Sequence, residues 1–117
     1  MTTRETVQKY LDGVAQRSGW QDLLADSVTF TSCTSPVKQL AGKRAYVEAT
    51  GRFYSMVASL LARDLFVDGE RACGLTHYVL RTPGGASFTS EVAEIFTVRD
   101  GRIHALEIYF DTAPYPK

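Results

Sequence analysis

The feature that most constrains this chain is a change of hydrophobic period near its middle. Four runs in the second half, Leu61 to Val67, Arg71 to Thr82, Ala86 to Val98 and Arg102 to Phe110, alternate with the period of a strand. They are separated by Asp68-Gly69, Pro83-Gly84-Gly85 and Asp100-Gly101, all hairpin turn chemistry. Four strands joined by turns this short run antiparallel as a meander. One apolar face of that meander needs a cover, and only the first half of the chain can supply it.

That first half has helical spacing. Thr2 and Glu5 form a capping box, and Val7, Tyr10, Leu11 and Val14 follow on one face until Gly19 interrupts. Trp20, Leu23 and Leu24 suit a short second helix, and Val28-Thr29-Phe30-Thr31 alternates like a strand. A loop with Ser35-Pro36 comes next. From Gly42, the residues Tyr46, Thr50, Phe53 and Val57, flanked by Val47 and Tyr54, make the wide apolar stripe of a longer third helix, which Gly51 weakens locally. The expected architecture is α+β: a curved antiparallel sheet packed against three N-terminal helices, in a single domain spanning residues 1–117.

Composition removes several classes of function. Thirteen basic residues balance 13 acidic ones without a basic stripe, which argues against a nucleic-acid partner. No apolar run approaches the roughly 20 residues of a membrane span, and Met1-Thr2-Thr3-Arg4-Glu5 opens no apolar signal segment. The expectation is a cytoplasmic protein with no membrane partner. Cys33 and Cys73 stand far apart and outside any C-x-x-C pair, so they read as free thiols, with no metal expected. Gly84-Gly85 lacks the spacing of a nucleotide-binding loop, and no cofactor is expected.

The order of elements resembles the SnoaL-like, ketosteroid-isomerase-like branch of the nuclear transport factor 2-like superfamily, a cone-shaped α+β fold. The resemblance covers nearly the whole chain. It is carried by Leu24-Ala25-Asp26-Ser27-Val28-Thr29-Phe30, by Phe96-Thr97-Val98-Arg99-Asp100-Gly101-Arg102-Ile103 and by Tyr109-Phe110-Asp111. Val7-Gln8-Lys9-Tyr10 is similar to the isomerase segment whose tyrosine donates to the oxyanion, and Ala93-Glu94-Ile95-Phe96 to the segment carrying its neutral carboxylic acid. The general-base aspartate of that family falls near Ser32 or Cys33 here, and the catalytic aspartate of SnoaL-like cyclases falls at Ile108. The resemblance implies a fold and a small-molecule pocket; the reaction has to come from the site.

Turn length predicts which side chains share that pocket. A two-residue Gly84-Gly85 turn pairs His77 with Val92 and sets Glu94 diagonal to His77 on one face, with Leu75, Val79, Val92, Phe96 and Val98. A three-residue loop Arg99-Asp100-Gly101 sets Glu94 opposite Leu106. His104, Leu106, Ile108 and Phe110 then face inward, while Ile103, Ala105, Glu107 and Tyr109 face outward. The alternative register brings Glu107 and Asp111 to Glu94 as a carboxylate cluster.

These placements predict a cofactor-independent acid–base catalyst of isomerase or lyase type, acting on a small hydrophobic carbonyl or cyclic compound. His77 moves the proton, Glu94 orients it, and Tyr10, with Ser32, hydrogen-bonds the developing oxygen. Trp20, Phe30, Phe53, Val57, Leu75, Val92, Phe96, Leu106, Ile108 and Phe110 are the expected walls. The competing reading is a non-catalytic binder of hydrophobic ligands or a structural protein. In either case the half-apolar outer sheet face is expected to pair with a second copy as a homodimer.

Overall fold

The structure, a computed structural model, describes residues 1–34 and 36–115; Ser35 of the expected Ser35-Pro36 loop lies outside them. Helix α1 (Thr3–Gln16) opens on the expected capping box: the Thr2 hydroxyl accepts from the Glu5 amide while the Glu5 carboxylate accepts from the Thr2 amide. Its buried stripe is Thr6, Val7, Tyr10, Leu11, Gly13 and Val14. Gly13 is required by contact, since a Cβ there would lie 2.9 Å from the Ser18 carbonyl and 3.0 Å from the Trp20 nitrogen. The chain therefore doubles back tightly into a 3-10 turn at Trp20–Leu23.

Strand β1 (Leu24–Ser32) follows, then β2 (Lys38–Ala41), helix α2 (Lys43–Ser55) and the meander β3 (Val57–Asp68), β4 (Arg71–Arg81), β5 (Ser87–Arg99) and β6 (Arg102–Phe110). The order across the sheet is β2-β1-β6-β5-β4-β3, with β1 parallel to β6 and every other pair antiparallel. The fold is α+β as expected, with two α-helices and one 3-10 turn in place of three helices. Two boundaries also move. Strand β2 occupies sequence expected to be loop, and Val57, expected at the end of the long helix, begins β3.

Both helices cover the inner face of the curved sheet. Val28, Phe30, Ala72, Tyr78, Leu80, Val92, Phe96, Val98, Ile103 and Leu106 meet Val7, Tyr10, Leu11, Val14, Tyr46 and Tyr54 there in one apolar core. Among the described residues, no helix is long and apolar enough to cross a membrane.

The hairpin turns determine which residues face that core, and two depart from expectation. Between β4 and β5 the loop is Pro83-Gly84-Gly85: the Thr82 amide donates to the Ala86 carbonyl, and Gly85 has φ +90°. This three-residue loop shifts the register by one, so His77 pairs with Glu91 instead of Val92 and Glu94 pairs with Gly74. A one-residue slip turns every side chain of a strand to the other face. His77, Leu75 and Val79 accordingly lie on the outer face, opposite Glu94.

Between β5 and β6 the turn is the two-residue Asp100-Gly101, both with positive φ, as a tight hairpin of this twist requires. An irregularity one step later pairs Val98 with Ile103 but Thr97 with Ala105, so His104 is the extra residue. The bulge restores the expected faces beyond it: Leu106, Ile108 and Phe110 turn inward, and Glu94 sits opposite Ile108, two residues beyond Leu106. Ile103, expected outside, is buried in the core.

Candidate active site

Between α2 and the sheet lies a cavity of about 310 Å³, within the range of small-molecule sites. Phe30, Ser32, Phe53, Val92, Leu106, Ile108 and Phe110 line it as expected, joined by Lys38, Leu40, Tyr46, Ala49, Thr50, Tyr54, Tyr78, Glu94 and Tyr115. Four expected wall residues lie elsewhere. Trp20, Val57 and Phe96 are closed into the core, their inward direction used up by packing against neighbours. Leu75 is exposed on the outer face, turned there by the register shift.

Among the described residues Glu94 is the only carboxylate lining the cavity, and it is 2% exposed. Gly74 opposite it presents no side chain, and the Tyr78 hydroxyl, from further along the same inner face of β4, donates to Glu94 Oε1 at 2.8 Å. Burial pushes the carboxyl up to about 7, opposed by the neighbouring hydroxyls of Thr76 and Tyr78. Thr76 Oγ1 is itself buried and makes no hydrogen bond of ordinary geometry. An acid that changes charge near neutral pH, in an apolar cavity, is equipped to take and return a proton.

Three tyrosine hydroxyls converge beside it. Tyr10 lies 2.7 Å from both Tyr46 and Tyr54, whose own hydroxyls are 3.2 Å apart. Burial raises all three pKa values, so each stays a neutral donor. Tyr10 is behind the cavity wall, whereas Tyr46 and Tyr54 line it. Each hydroxyl has one proton to give. The longest contact, Tyr46 to Tyr54, is the weakest of the three and the one a ligand oxygen can open. Tyr46 and Tyr54 were legible only as parts of the α2 stripe, because periodicity marks a buried face without separating core from cavity.

His77 does not share this site. It bonds through Nδ1 to Glu91 on the outer face, with Arg63 on the same carboxylate at 3.2 Å. The expected His77–Glu94 pair is thus not formed. Glu107 also stays outside, 3.6 Å from Arg71, and the exposed Asp111 accepts from the Ala113 amide as a strand-end cap. The carboxylate-cluster alternative fails for the same reason. Cys33 and Cys73 are free and half-buried.

No curated protein sequence matches this chain. Solved structures share its fold. An NTF2-like protein of unknown function from Burkholderia pseudomallei superposes with a TM-score of 0.80 at 22% identity, over 95% of this chain and 92% of its own. A candidate ketosteroid isomerase from Kribbella flavida gives 0.77 at 21% identity, over 98% and 82%. A candidate SnoaL-like polyketide cyclase from Jannaschia gives 0.77 at 16% identity, over 98% and 93%. At these identities the likeness concerns the fold. The SnoaL-like domain family matches residues 7–106, from the buried face of α1 to the inner face of β6, and the chain belongs to that family.

Proposed function

We propose that the cavity binds a small hydrophobic carbonyl or cyclic compound and moves a proton on it without a cofactor, with Glu94 as the proton carrier. The observation that carries this reading is a single buried carboxyl, held near neutral pKa, facing an apolar cavity beside neutral hydroxyl donors. Ionised Glu94 takes a proton from a carbon next to the carbonyl. The oxygen that gains charge accepts from Tyr46 or Tyr54, and protonated Glu94 returns the proton to the same carbon or, where a neighbouring double bond extends the enolate, to the far carbon of that double bond. Tyr78 positions the carboxylate, and Tyr10 holds the two tyrosines that face the ligand.

The test needs no knowledge of the natural substrate. Small cyclic and aryl ketones incubated with the protein in D2O should lose their α-proton NMR signals faster than in buffer. Glu94→Gln should remove about 100-fold or more of that rate. Saturable ketone binding without exchange would favour the non-catalytic binder and end the catalytic reading.

We also propose a second copy as the partner of the outer sheet face. Leu61, Phe66, Leu75 and Tyr109 are all exposed there. Arg63 pairs with Glu91 and Arg71 with Glu107 among them, so most of the charge on this apolar face is already neutralised, with the exposed Asp64 beside Leu75 left over.

A further inference from the structure

The sheet register aligns the two charged ends of the cavity. Lys38 on β2 pairs with Ser32 on β1, Ser32 with Ile108 on β6, and Ile108 with Glu94 on β5. These four residues form one row across the inner face, and ordinary strand spacing sets the Lys38 and Glu94 Cα atoms about 14 Å apart. Both side chains line the cavity; Lys38 is exposed and Glu94 buried. Among the described residues Lys38 is the only cation lining it, and no carboxylate pairs with it. Between the two ends the row carries Ser32 and Ile108, with Phe30 and Phe110 beside them.

We propose that Lys38 anchors a carboxylate at the outer end of the ligand, so that the cavity takes an apolar compound with a carbonyl at one end and a carboxylate at the other. The inference rests on the proposed reading of the cavity as a carbonyl site and adds the chemistry of the ligand's far end. The orientation follows from charge. A carboxylate placed against Glu94 would meet a like charge in an apolar setting, whereas beside Lys38 it meets an opposite charge with water at hand. A lysine on an edge strand also discourages pairing with another sheet. That role does not require a side chain on the inner face, where Lys38 shares the side of Ser32 and borders the cavity.

The probes are ω-benzoylpentanoate, an aryl ketone ending in a carboxylate, and its methyl ester, titrated into the protein at low salt and followed by amide NMR shifts. The acid should bind about fivefold more tightly than the ester, the scale of one partly exposed ion pair. Lys38→Met should abolish the difference by weakening only the acid, Lys38→Arg should keep it, and added salt should reduce it. Equal binding of acid and ester to the unmodified protein, or an acid preference that survives Lys38→Met, would overturn the inference while leaving the carbonyl site intact. Absence of saturable binding by either compound would overturn both.

Discussion

The Tyr78 hydroxyl donates to Glu94 Oε1 at 2.8 Å, from a position four residues along β4 from Gly74, the residue paired with Glu94. The tyrosine thus reaches back along the inner face to the carboxylate, while the space over Gly74 is bordered by Thr76 Oγ1 and the Phe96 ring. This bond favours the charged form of an acid that burial otherwise holds neutral.

Removing that donor should raise the carboxyl further. In Tyr78→Phe the Glu94 midpoint should move up by about one pH unit, the scale of a hydrogen bond to a charged group. Carbon-detected NMR of the Glu94 side chain reads the shift directly; an unchanged or lowered midpoint would show that Tyr78 does not stabilise the carboxylate.

Burial of Glu94 also gives folding stability a pH slope of known sign. The folded pKa is about 7 against an ordinary 4.5, so between those values the folded state keeps a proton that the unfolded chain has lost. The contribution is fully present below the unfolded value and is lost as pH rises through the folded one, on the order of 3 kcal/mol in all. Urea unfolding of Glu94→Gln should therefore gain on the unmodified protein between about pH 5 and pH 8. Parallel pH profiles for the two proteins would contradict the burial account.

His77 faces away from the cavity, and its partner Glu91 is held below the usual carboxylate range chiefly by that histidine. His77→Ala should leave ketone α-proton exchange within about twofold, because its ion pair lies on the outer face. Loss of exchange in this variant would return the proton to histidine and displace Glu94.

The outer face should associate. Sedimentation at micromolar concentration should show a dimer, and Leu75→Glu, which places a charge at the centre of the Asp64–Leu75–Ala93–Tyr109 row, should give a folded monomer. A monomeric unmodified protein would leave that face without the proposed partner.

Much of this architecture is readable from local chemistry. Thr2 and Glu5 mark the start of α1, and the Gly-containing turns mark the meander. Glu94 is legible as an acid on an apolar strand face, a position that calls for a partner or a pocket. The identity of its neighbours is decided by something finer. Whether the Pro83 turn holds two residues or three depends on Gly85 adopting φ +90°, and that single residue moves His77 to the opposite face. The opposite case is the β5–β6 hairpin, where a tighter turn and a bulge at His104 offset each other and leave Ile108 and Phe110 inside. Tyr46, Tyr54 and Tyr78 become a site only through long-range packing, because a buried tyrosine in the core and one beside a cavity have the same spacing. Strand β2 carries too short and polar a run to register by periodicity, so Lys38 stayed hidden with it.

The central claim is that Glu94 changes charge near neutral pH inside the cavity. Its most direct test is a pH titration of the Glu94 carboxyl carbon by NMR in the unmodified protein, assigned by its loss in Glu94→Gln. The account predicts a midpoint near 7. A midpoint near the ordinary 4.5 would mean that the carboxyl is solvated and that the cavity lacks the proton carrier assigned to it.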